Sequence, residues 1–245
     1  MSIPIENLTI EEKRELLARV LKKKAHQPAS APLSVYQRRL WFLDQFDPGN
    51  AVYNTGKAIR IRGKISIDTA ERALNEIIRR HESLRTTFRI DNGEPAQVIS
   101  PPFPLHINLL DIERLSDTPE AASIEKTVVE ELQRPFDIST GPLLRTALLR
   151  LGEEEHIAVM AMHHIISDGW SVGVLIDELG EVYRAYATGR PSGLSELDVQ
   201  YADYSAWQRN WLSGEVLKEQ VGYWKGQLSG APALLELPTD RPRPA

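Results

Sequence analysis

The stretch that decides the fold is His156-Ile-Ala-Val-Met-Ala-Met-His-His-Ile-Ile-Ser-Asp-Gly-Trp-Ser171. Its first half is nearly all apolar, which predicts a strand buried on both faces at the centre of a sheet. Two histidines, His163 and His164, end this strand. Asp168 follows after a short loop, and a helix is predicted to begin near Ser171. The stretch therefore places titratable side chains where a buried strand gives way to a helix.

Helices and strands alternate on both sides of this stretch. The spacing of apolar residues predicts helices over Ser34–Gln45 and Ile67–His81, and near 171–187, 199–212 and 215–228. A strand is predicted over Tyr53–Ile61. Two hairpins are predicted, Thr87–Ile90 with Ala96–Ile99 around an Asp-Asn-Gly turn, and Leu143–Leu151 with His156–His164. This alternation predicts an α/β fold.

The two ends of the chain differ in composition from its middle. Residues 1–25 contain a predicted amphipathic helix over 8–24, with glutamates at its start and lysines at its end, as the helix dipole favours. That helix either docks elsewhere or packs on the main domain. Proline, alanine and serine predict a linker at 26–32, which leaves 33–236 as the main lobe. The proline-rich residues 237–245 predict a second linker.

The composition excludes several classes of function. Hydrophobic residues make up 42% of the 245 residues, enough for a sizeable core, and no apolar run is long enough to span a bilayer. Charged residues crowd the first 24 positions, where a signal peptide would need an apolar stretch, so we expect a cytoplasmic protein. The absence of cysteine excludes disulfides, thiolate metal ligands and a cysteine nucleophile. A net charge of −5 argues against nucleic acid as the main partner.

The histidine pair is the candidate for chemistry. Side chains alternate along a strand, so His163 and His164 are expected to face opposite sides of the sheet. A histidine can accept or give a proton near neutral pH, which suits a reaction at an amine. Asp168 lies four residues beyond His164, where it could orient the imidazole or pair with an arginine and lock the loop. Gly169 permits a backbone geometry that other residues resist, and close approach of a substrate.

Three other interpretations compete for these residues. The histidines could simply satisfy the end of a strand. A metal site is disfavoured, because adjacent histidines on a strand point apart and no third ligand is nearby, so no metal is predicted. A Ser-His-Asp triad could use Ser167 or Ser171, but neither serine has the glycines of a nucleophile elbow around it.

Several segments carry a family resemblance, and they occur in the family's order. His163–Ser171 resembles the HHxxxDG signature of condensation domains of nonribosomal peptide synthetases. Three further segments resemble the SxxQxRLWFL, RHExLRTxF and YxDYxxW elements of the same family: Ser34–Leu43, Arg80–Phe88 and Tyr201–Trp207. Pro135–Arg145 and Leu237–Pro244 are also similar to the family. The resemblance covers about residues 31–245; a lone HxxxD would be weak, since several acyltransferase families share it, but the ordered set is specific.

The resemblance implies a fold and an activity. Such domains are built like chloramphenicol acetyltransferase, from two α/β sandwich lobes in a V with a tunnel between them, and this chain resembles the N-terminal lobe, a two-layer sandwich. The implied activity joins a donor and an acceptor amino acid, each tethered to a carrier protein through phosphopantetheine, with no cofactor bound directly. The implied partners are the two carriers, a C-terminal lobe and an upstream synthetase subunit that could dock on 1–25. Without the second lobe, the chain is expected to fold but to be inactive.

The resemblance also implies roles for the site residues. His164 either takes the proton of the acceptor amine or holds the amine against the thioester, and His163 supports the loop. Asp168 is expected to pair with Arg80, or else with Arg85. Asp168 and Gly169 complete the predicted catalytic group with the two histidines. The residues expected to support that group are Arg80, Arg85, Trp170 and Ser171.

Some alternatives to this interpretation remain at the level of the sequence. The form of the signature resembles the type that takes an L-configured donor, with the dual epimerising type as the alternative. The cyclisation type, which has aspartates in place of the histidine pair, is excluded. An acyltransferase that uses coenzyme A, and a non-catalytic module that binds carriers or other proteins, are the rival functions.

Overall fold

The computed structural model describes residues 29–112, 120–232, 238 and 240–241. Seven strands and six helices follow one another along these residues: β1 (Ala29–Pro32), α1 (Val35–Phe46), β2 (Asn54–Arg62), α2 (Ile67–Arg80), β3 (Thr86–Asp91), β4 (Glu94–Ile99), β5 (Asn108–Asp111), α3 (Glu120–Gln133), β6 (Leu144–Arg150), β7 (Glu155–His163), α4 (Gly169–Ala187), α5 (Tyr201–Trp211) and α6 (Gly214–Gln227). Short 3₁₀ turns at Ala51–Tyr53 and Glu82–Arg85 lead into β2 and β3. The predicted helix at 8–24 lies outside the described residues, as does most of the predicted linker at 237–245.

The larger sheet has four strands in the order β2-β7-β6-β5. The strand predicted to be central, β7, pairs with β2 on one side and with β6 on the other, and both pairings are antiparallel. At the far edge, β5 pairs with β6 in parallel. The central position explains the apolar sequence of β7, because both of its faces are covered.

Each face of this sheet packs against helices. On one face, Leu144 and Met162 join the larger core with α2 and α4. On the opposite face, Leu149 and Val159 belong to a smaller core that is closed by α3. The strand alternation that separates these two cores also separates the two histidines at the end of β7.

The smaller sheet has three strands in the order β1-β4-β3. The hairpin of β3 and β4 was predicted and is confirmed: Asn92 and Gly93 have φ values of 52° and 83°, which the tight hairpin turn requires. An asparagine and a glycine adopt these angles at lower cost than other residues.

The predicted linker at 26–32 is wrong for its last four residues. Ala29–Pro32 forms β1, which pairs with β4 from Ala29 opposite Ile99 to Pro32 opposite Ala96. A proline is tolerated here because β1 is an edge strand, so its missing N–H removes no hydrogen bond from the interior of the sheet. The Gln97 amide also donates to the Pro32 carbonyl at 2.9 Å. The folded unit therefore includes residues that composition alone assigned to a linker.

The last two helices lie on the outside of this assembly. Ser205 of α5 is buried, and its hydroxyl donates to the Tyr201 carbonyl. In α6, by contrast, no residue is buried. None of the helices in the described part of the chain combines the length and the apolar character that crossing a membrane requires.

Candidate active site

The candidate site is the loop that joins β7 to α4. Ile165 and Ile166 are buried in the larger core and anchor the loop from below. The Ile166 N–H donates to the His163 carbonyl at 3.1 Å, which closes a turn. Helix α4 then begins at Gly169. Buried isoleucines between polar residues thus fix the loop against the sheet while His164 stays partly accessible.

His163 is buried, with 2% of its surface exposed. Its Nδ1 accepts a hydrogen bond from the Ile165 N–H at 3.1 Å, so the proton of the neutral ring lies on Nε2. Burial, with a smaller contribution from the neighbouring His164, lowers the pKa of His163 to about 4. The rings of Tyr53 and Phe136 lie 6.5 Å from its ring. His163 is therefore a buried side chain that packs beside these two rings and bonds to the backbone of the loop.

His164 has the opposite arrangement of its ring nitrogens. Its Nδ1 lies 2.5 Å from the Ser167 carbonyl oxygen, which can only accept, so Nδ1 carries a proton. In the neutral ring Nε2 is then the acceptor, and it lies 2.8 Å from the Tyr36 hydroxyl. The His164 backbone N–H donates to the Tyr53 carbonyl at 2.8 Å, which holds the residue to the start of β2. The fixed tautomer leaves Nε2 as the atom that can take a proton.

The two histidines border different cavities, as the predicted alternation of faces requires. His164 borders a cavity of about 240 Å³, together with Tyr36, Ser83, Asp168, Trp170 and Tyr201. A neighbouring cavity of about 150 Å³ is lined by apolar side chains such as Met162 and Leu175. His163 borders a separate cavity of about 320 Å³ that is formed with the end of α1. The cavity beside His164 is the one that combines an accessible imidazole with polar neighbours.

The predicted pairing of Asp168 with Arg80 or Arg85 is wrong. Asp168 is exposed and is the N-cap of α4: its carboxylate accepts from the Ser171 N–H at 2.8 Å, and the Ser171 hydroxyl accepts from the Asp168 N–H at 2.7 Å. The hydrogen bond from the Ser171 N–H, above all, lowers the pKa of Asp168. An aspartate at the first position of a helix caps unpaired N–H groups, and that local role needs no distant arginine.

The two arginines have partners of their own. Arg80 is buried and donates to both carboxylate oxygens of Glu178 on α4, at 3.3 and 3.1 Å, and to the Ser195 carbonyl. Arg85 binds the Ser100 carbonyl and the carboxylate of Glu82. Arg80 therefore braces the helix that follows the histidine loop, whereas Arg85 ties the start of β3 to the end of β4.

The remaining predicted site residues separate into two groups. Ser171 takes part in the cap of α4, and Trp170 is 84% exposed beside the His164 cavity. The expectation that Gly169 supplies an unusual backbone geometry is wrong: its φ lies outside the left-handed range, and an added Cβ would meet open space. Only the part of that prediction that concerns close approach of a substrate stays open.

The serines do not form a triad with His164. The Ser167 hydroxyl donates to the His163 carbonyl at 3.4 Å and lies 3.3 Å from the Thr55 hydroxyl. The Ser171 hydroxyl is engaged in the α4 cap. Both imidazole nitrogens of His164 are occupied by other groups, so the structure supports a mechanism without a serine nucleophile.

Tyr36 is the site residue that sequence reasoning missed. It lies inside the Ser34–Leu43 element, but its contact with His164 joins positions that are 128 residues apart. The sequence signal for it is the pair Ser34 and Gln37, which cap each other and place Tyr36 in the first turn of α1. Tyr36 therefore lies next to the group that the Gln37 side chain contacts. Gln37 donates to the Ile165 carbonyl at 3.4 Å, next to His164.

Fold and site together define a class of protein: an α/β sandwich lobe with a partly accessible histidine on the loop after a central strand. A family model described as "Condensation domain" matches residues 27–245. The chain belongs to this family of condensation domains.

Relatives of known name agree with the family. The chain is 44% identical over 234 residues to a linear gramicidin synthase of Brevibacillus parabrevis, covering 96% of this chain and 5% of that protein. It is 42% identical over 225 residues to phosphinothricin tripeptide synthetase PhsC of Streptomyces viridochromogenes, covering 92% of this chain and 21% of that protein. The chain thus spans a small part of the curated relatives that it matches.

Solved structures agree with the fold. The X-domain from teicoplanin biosynthesis is 30% identical, with a TM-score of 0.77, over 89% of this chain and 48% of that one. The first condensation domain of the CDA synthetase superposes with a TM-score of 0.74 at 24% identity, over 86% of this chain and 53% of that one. The predicted fold class, a sandwich lobe of the condensation-domain kind, is confirmed.

Proposed function

We propose that the complete protein forms peptide bonds between a donor and an acceptor amino acid during nonribosomal peptide synthesis, and that His164 is the residue that acts on the acceptor amine. The observation that carries this proposal is the fixed tautomer of His164. Its Nδ1 proton is held by the Ser167 carbonyl, so Nε2 is the acceptor at the edge of a cavity. Membership of the condensation-domain family supplies the reaction class.

The chemistry needs orientation more than a strong base. A free α-amine has a pKa near 8, so a sizeable fraction of it is already nucleophilic at neutral pH. Its nitrogen attacks the donor thioester carbon, the C–S bond breaks, and the thiolate leaves. In the mechanism that we propose, Nε2 of His164 accepts a hydrogen bond from the amine, aligns it with the thioester and takes the proton that it loses.

The other residues of the loop serve His164. His163, which stays neutral because its pKa is about 4, keeps the Ile165 N–H bonded and so shapes the loop. Asp168 and Ser171 fix the first turn of α4. Trp170, exposed beside the cavity, offers an aromatic surface to whatever enters it.

The proposed partners follow from the reaction. The two substrates reach the site as phosphopantetheine thioesters on a donor and an acceptor carrier protein, and no cofactor is bound directly. We also propose an L-configured donor, a second lobe opposite this one, docking of an upstream synthetase through residues 1–25, and a place in the cytoplasm.

The test is the variant His164→Ala in the complete protein. Condensation between loaded carriers should fall about 10²- to 10⁴-fold, the usual effect of losing a positioned acid–base group. The matched control is His106→Ala, which removes an exposed histidine that contacts Glu71 on α2. Near wild-type formation of the dipeptidyl thioester by the His164 variant would remove this residue from the mechanism. Replacing the acylated carrier by acyl-coenzyme A in the same assay tests the rival acyltransferase.

A second candidate function is a protein-binding module without catalysis. The observation that favours it is the likeness to the teicoplanin X-domain, which has also been solved as a complex with OxyB at the same TM-score of 0.77. Under this alternative the His164→Ala variant would keep partner binding, and the unmodified protein would form no dipeptide from loaded carriers.

A further inference from the structure

The Tyr36 hydroxyl forms a hydrogen bond with Nε2 of His164, the atom that the proposed reaction needs. Its hydroxyl lies 2.8 Å from Nε2 of His164, and the two rings meet edge to face at 5.5 Å and 76°. Because Nδ1 is protonated against the Ser167 carbonyl, the neutral ring has a single acceptor site, at Nε2. A tyrosine hydroxyl and a substrate amine cannot both donate to it.

The backbone of Tyr36 is held firmly beside the loop. It lies in the first turn of α1, which begins after the reciprocal cap formed by Ser34 and Gln37. Gln37 is buried and bonds to the Ile165 carbonyl, and the Ser34 hydroxyl lies 3.0 Å from the hydroxyl of Tyr201. The position of Tyr36 next to His164 is therefore built into the fold.

The side chain of Tyr36 is held far less firmly than its backbone. It is 43% exposed. Among the described residues, His164 is the one hydrogen-bond partner of its hydroxyl. One hydrogen bond at a partly exposed site is worth about 0.5–1.5 kcal/mol, which corresponds to about a 2- to 10-fold shift in an equilibrium.

We propose that Tyr36 is a displaceable cap on His164: its hydroxyl satisfies Nε2 in the empty site, and the acceptor amine must displace it to reach the same lone pair. The inference rests on the proposed function of His164. Both groups border the same cavity of about 240 Å³, so an amine that enters this cavity meets the hydroxyl and the imidazole together. A hydroxyl that stayed in place to relay the proton would need a second anchor, and the half-exposed ring shows none among the described residues.

A readout that does not depend on catalysis tests the cap. Diethyl pyrocarbonate acylates unprotonated imidazole nitrogens, and peptide mapping by mass spectrometry gives the labelling rate of each histidine in the complete protein. The variant Tyr36→Phe keeps the ring and removes the hydroxyl, so labelling of His164 should rise about 2- to 10-fold. Buried His163 should stay unlabelled, which reports an intact loop. Tyr204→Phe is the matched control, because it removes a half-exposed hydroxyl that bonds to Gln208 instead.

The second readout is the split between KM and kcat. If the amine competes with the hydroxyl, Tyr36→Phe lowers the KM for the loaded acceptor carrier about 2- to 10-fold and leaves kcat unchanged. Tyr36→Leu, a second variant at this exposed position, should behave in the same way.

Three results would overturn the cap: unchanged labelling of His164, faster labelling without a lower KM, or a kcat that falls tenfold or more, which would make the hydroxyl a proton relay. Labelling is measured without condensation, so it still reports on Tyr36 if His164→Ala proves active and the proposed function fails.

Discussion

Two adjacent histidines with the same side chain have different chemistry because their local partners differ. The strand alternation turns His163 toward Phe136 and into the protein, where burial disfavours a charge. His164 stays at the rim of a cavity, where its Nδ1–H donates a hydrogen bond to the Ser167 carbonyl. Nδ1 of His163 accepts from a backbone N–H, whereas Nδ1 of His164 donates to a backbone carbonyl. This difference gives the two rings opposite tautomers.

The low pKa of His163 makes the stability of the fold depend on pH. Its pKa rises from about 4 in the folded chain to 6.5 in the unfolded one, so between these values the unfolded state binds more protons. The free energy of unfolding should therefore fall as the pH drops through this window, by about 3 kcal/mol from about pH 7 to about pH 4, and should level off below pH 4. Urea unfolding at a series of pH values measures it.

The variant His163→Asn isolates this effect from other titrating groups. The asparagine carbonyl can accept from the Ile165 N–H as Nδ1 does, but it does not titrate. We expect the difference in unfolding free energy between the variant and the unmodified chain to change with pH between about pH 7 and about pH 4, by the amount attributed above to His163. A difference that is constant with pH would mean that His163 has the same pKa in the folded and the unfolded protein.

Asp168 should contribute to stability as a helix cap and not as half of a buried ion pair. Asp168→Ala should cost about 1 kcal/mol, the usual effect of losing a cap. Asp168→Asn should cost less, because its amide oxygen can still accept from the Ser171 N–H. Thermal unfolding of both variants distinguishes the roles. A loss of about 3 kcal/mol or more on substitution by alanine would point to an uncompensated buried charge instead.

Among the secondary-structure elements, the pattern of apolar residues and the turn sequence predicted the longer strands and the first hairpin. The apolar run before His163 gave the central strand, and the Asp-Asn-Gly sequence gave the first hairpin. The short edge strands β1 and β5, of four residues each, have no such signal. Their strand conformation depends on pairing with β4 and β6, which are distant in sequence.

The site was predicted in part, for the same reason. Local sequence located the histidine loop and the start of α4, but it assigned Asp168 to an arginine and not to the cap of that helix. The partner of Arg80 is 98 residues away and that of His164 is 128 residues away, and several residues of suitable chemistry could have filled either place. The correct partners follow only from the way α2 packs on α4 and α1 packs on the histidine loop. A local sequence pattern does not predict this packing.

The packing of α2 on α4 includes a buried charge cluster. Glu178 accepts from Arg80 and lies 2.6 Å from Nε2 of His81. Burial opposes the charged form of Glu178, but the hydrogen bonds from His81 and Arg80 outweigh it and lower its pKa. Glu178→Ala would leave the buried Arg80 guanidinium without its carboxylate, so the free energy of unfolding should fall by about 3–5 kcal/mol.

The ion pair between Arg79 of α2 and Glu196 supplies the control for Glu178. Arg79 bonds to Glu196 at 2.6 Å, but both side chains are largely in water, where the attraction is screened. Glu196→Ala should leave chemical unfolding nearly unchanged. Equal losses for the two variants would show that burial, the feature that separates them, does not set the strength of the Glu178 cluster.

At the scale of the molecule, one side of the described chain is unusually apolar. The rings of Tyr204, Trp207 and Trp211 follow one another along α5 with centroids 5.5–5.8 Å apart, and each ring is at least 40% exposed. A groove of about 630 Å³ between α5 and α6 continues this surface through Val221 and Trp224. Large exposed apolar patches are typical of surfaces that bind another protein, a membrane or a ligand.

Residues 1–245 produced alone should therefore fold, self-associate and fail to catalyse. The described residues already contain two cores and both sheets, which favours folding. The uncovered apolar side of α5 and α6 favours association, which sedimentation velocity measures as a rise in mass with concentration. A solved condensation-domain chain is longer than this one, since 86% of this chain covers 53% of it.

The catalytic part of this prediction follows from the open cavity beside His164. Water there screens charges in the transition state, and one wall alone does not hold two thioester arms at attack distance. Loaded donor and acceptor carriers incubated with these residues should give no dipeptidyl thioester by mass spectrometry, while the complete protein does. Adding Trp207→Ser and Trp211→Ser should reduce association without restoring activity. Turnover by the 245 residues at a rate comparable to that of the complete protein would show that this lobe alone orients both substrates at His164.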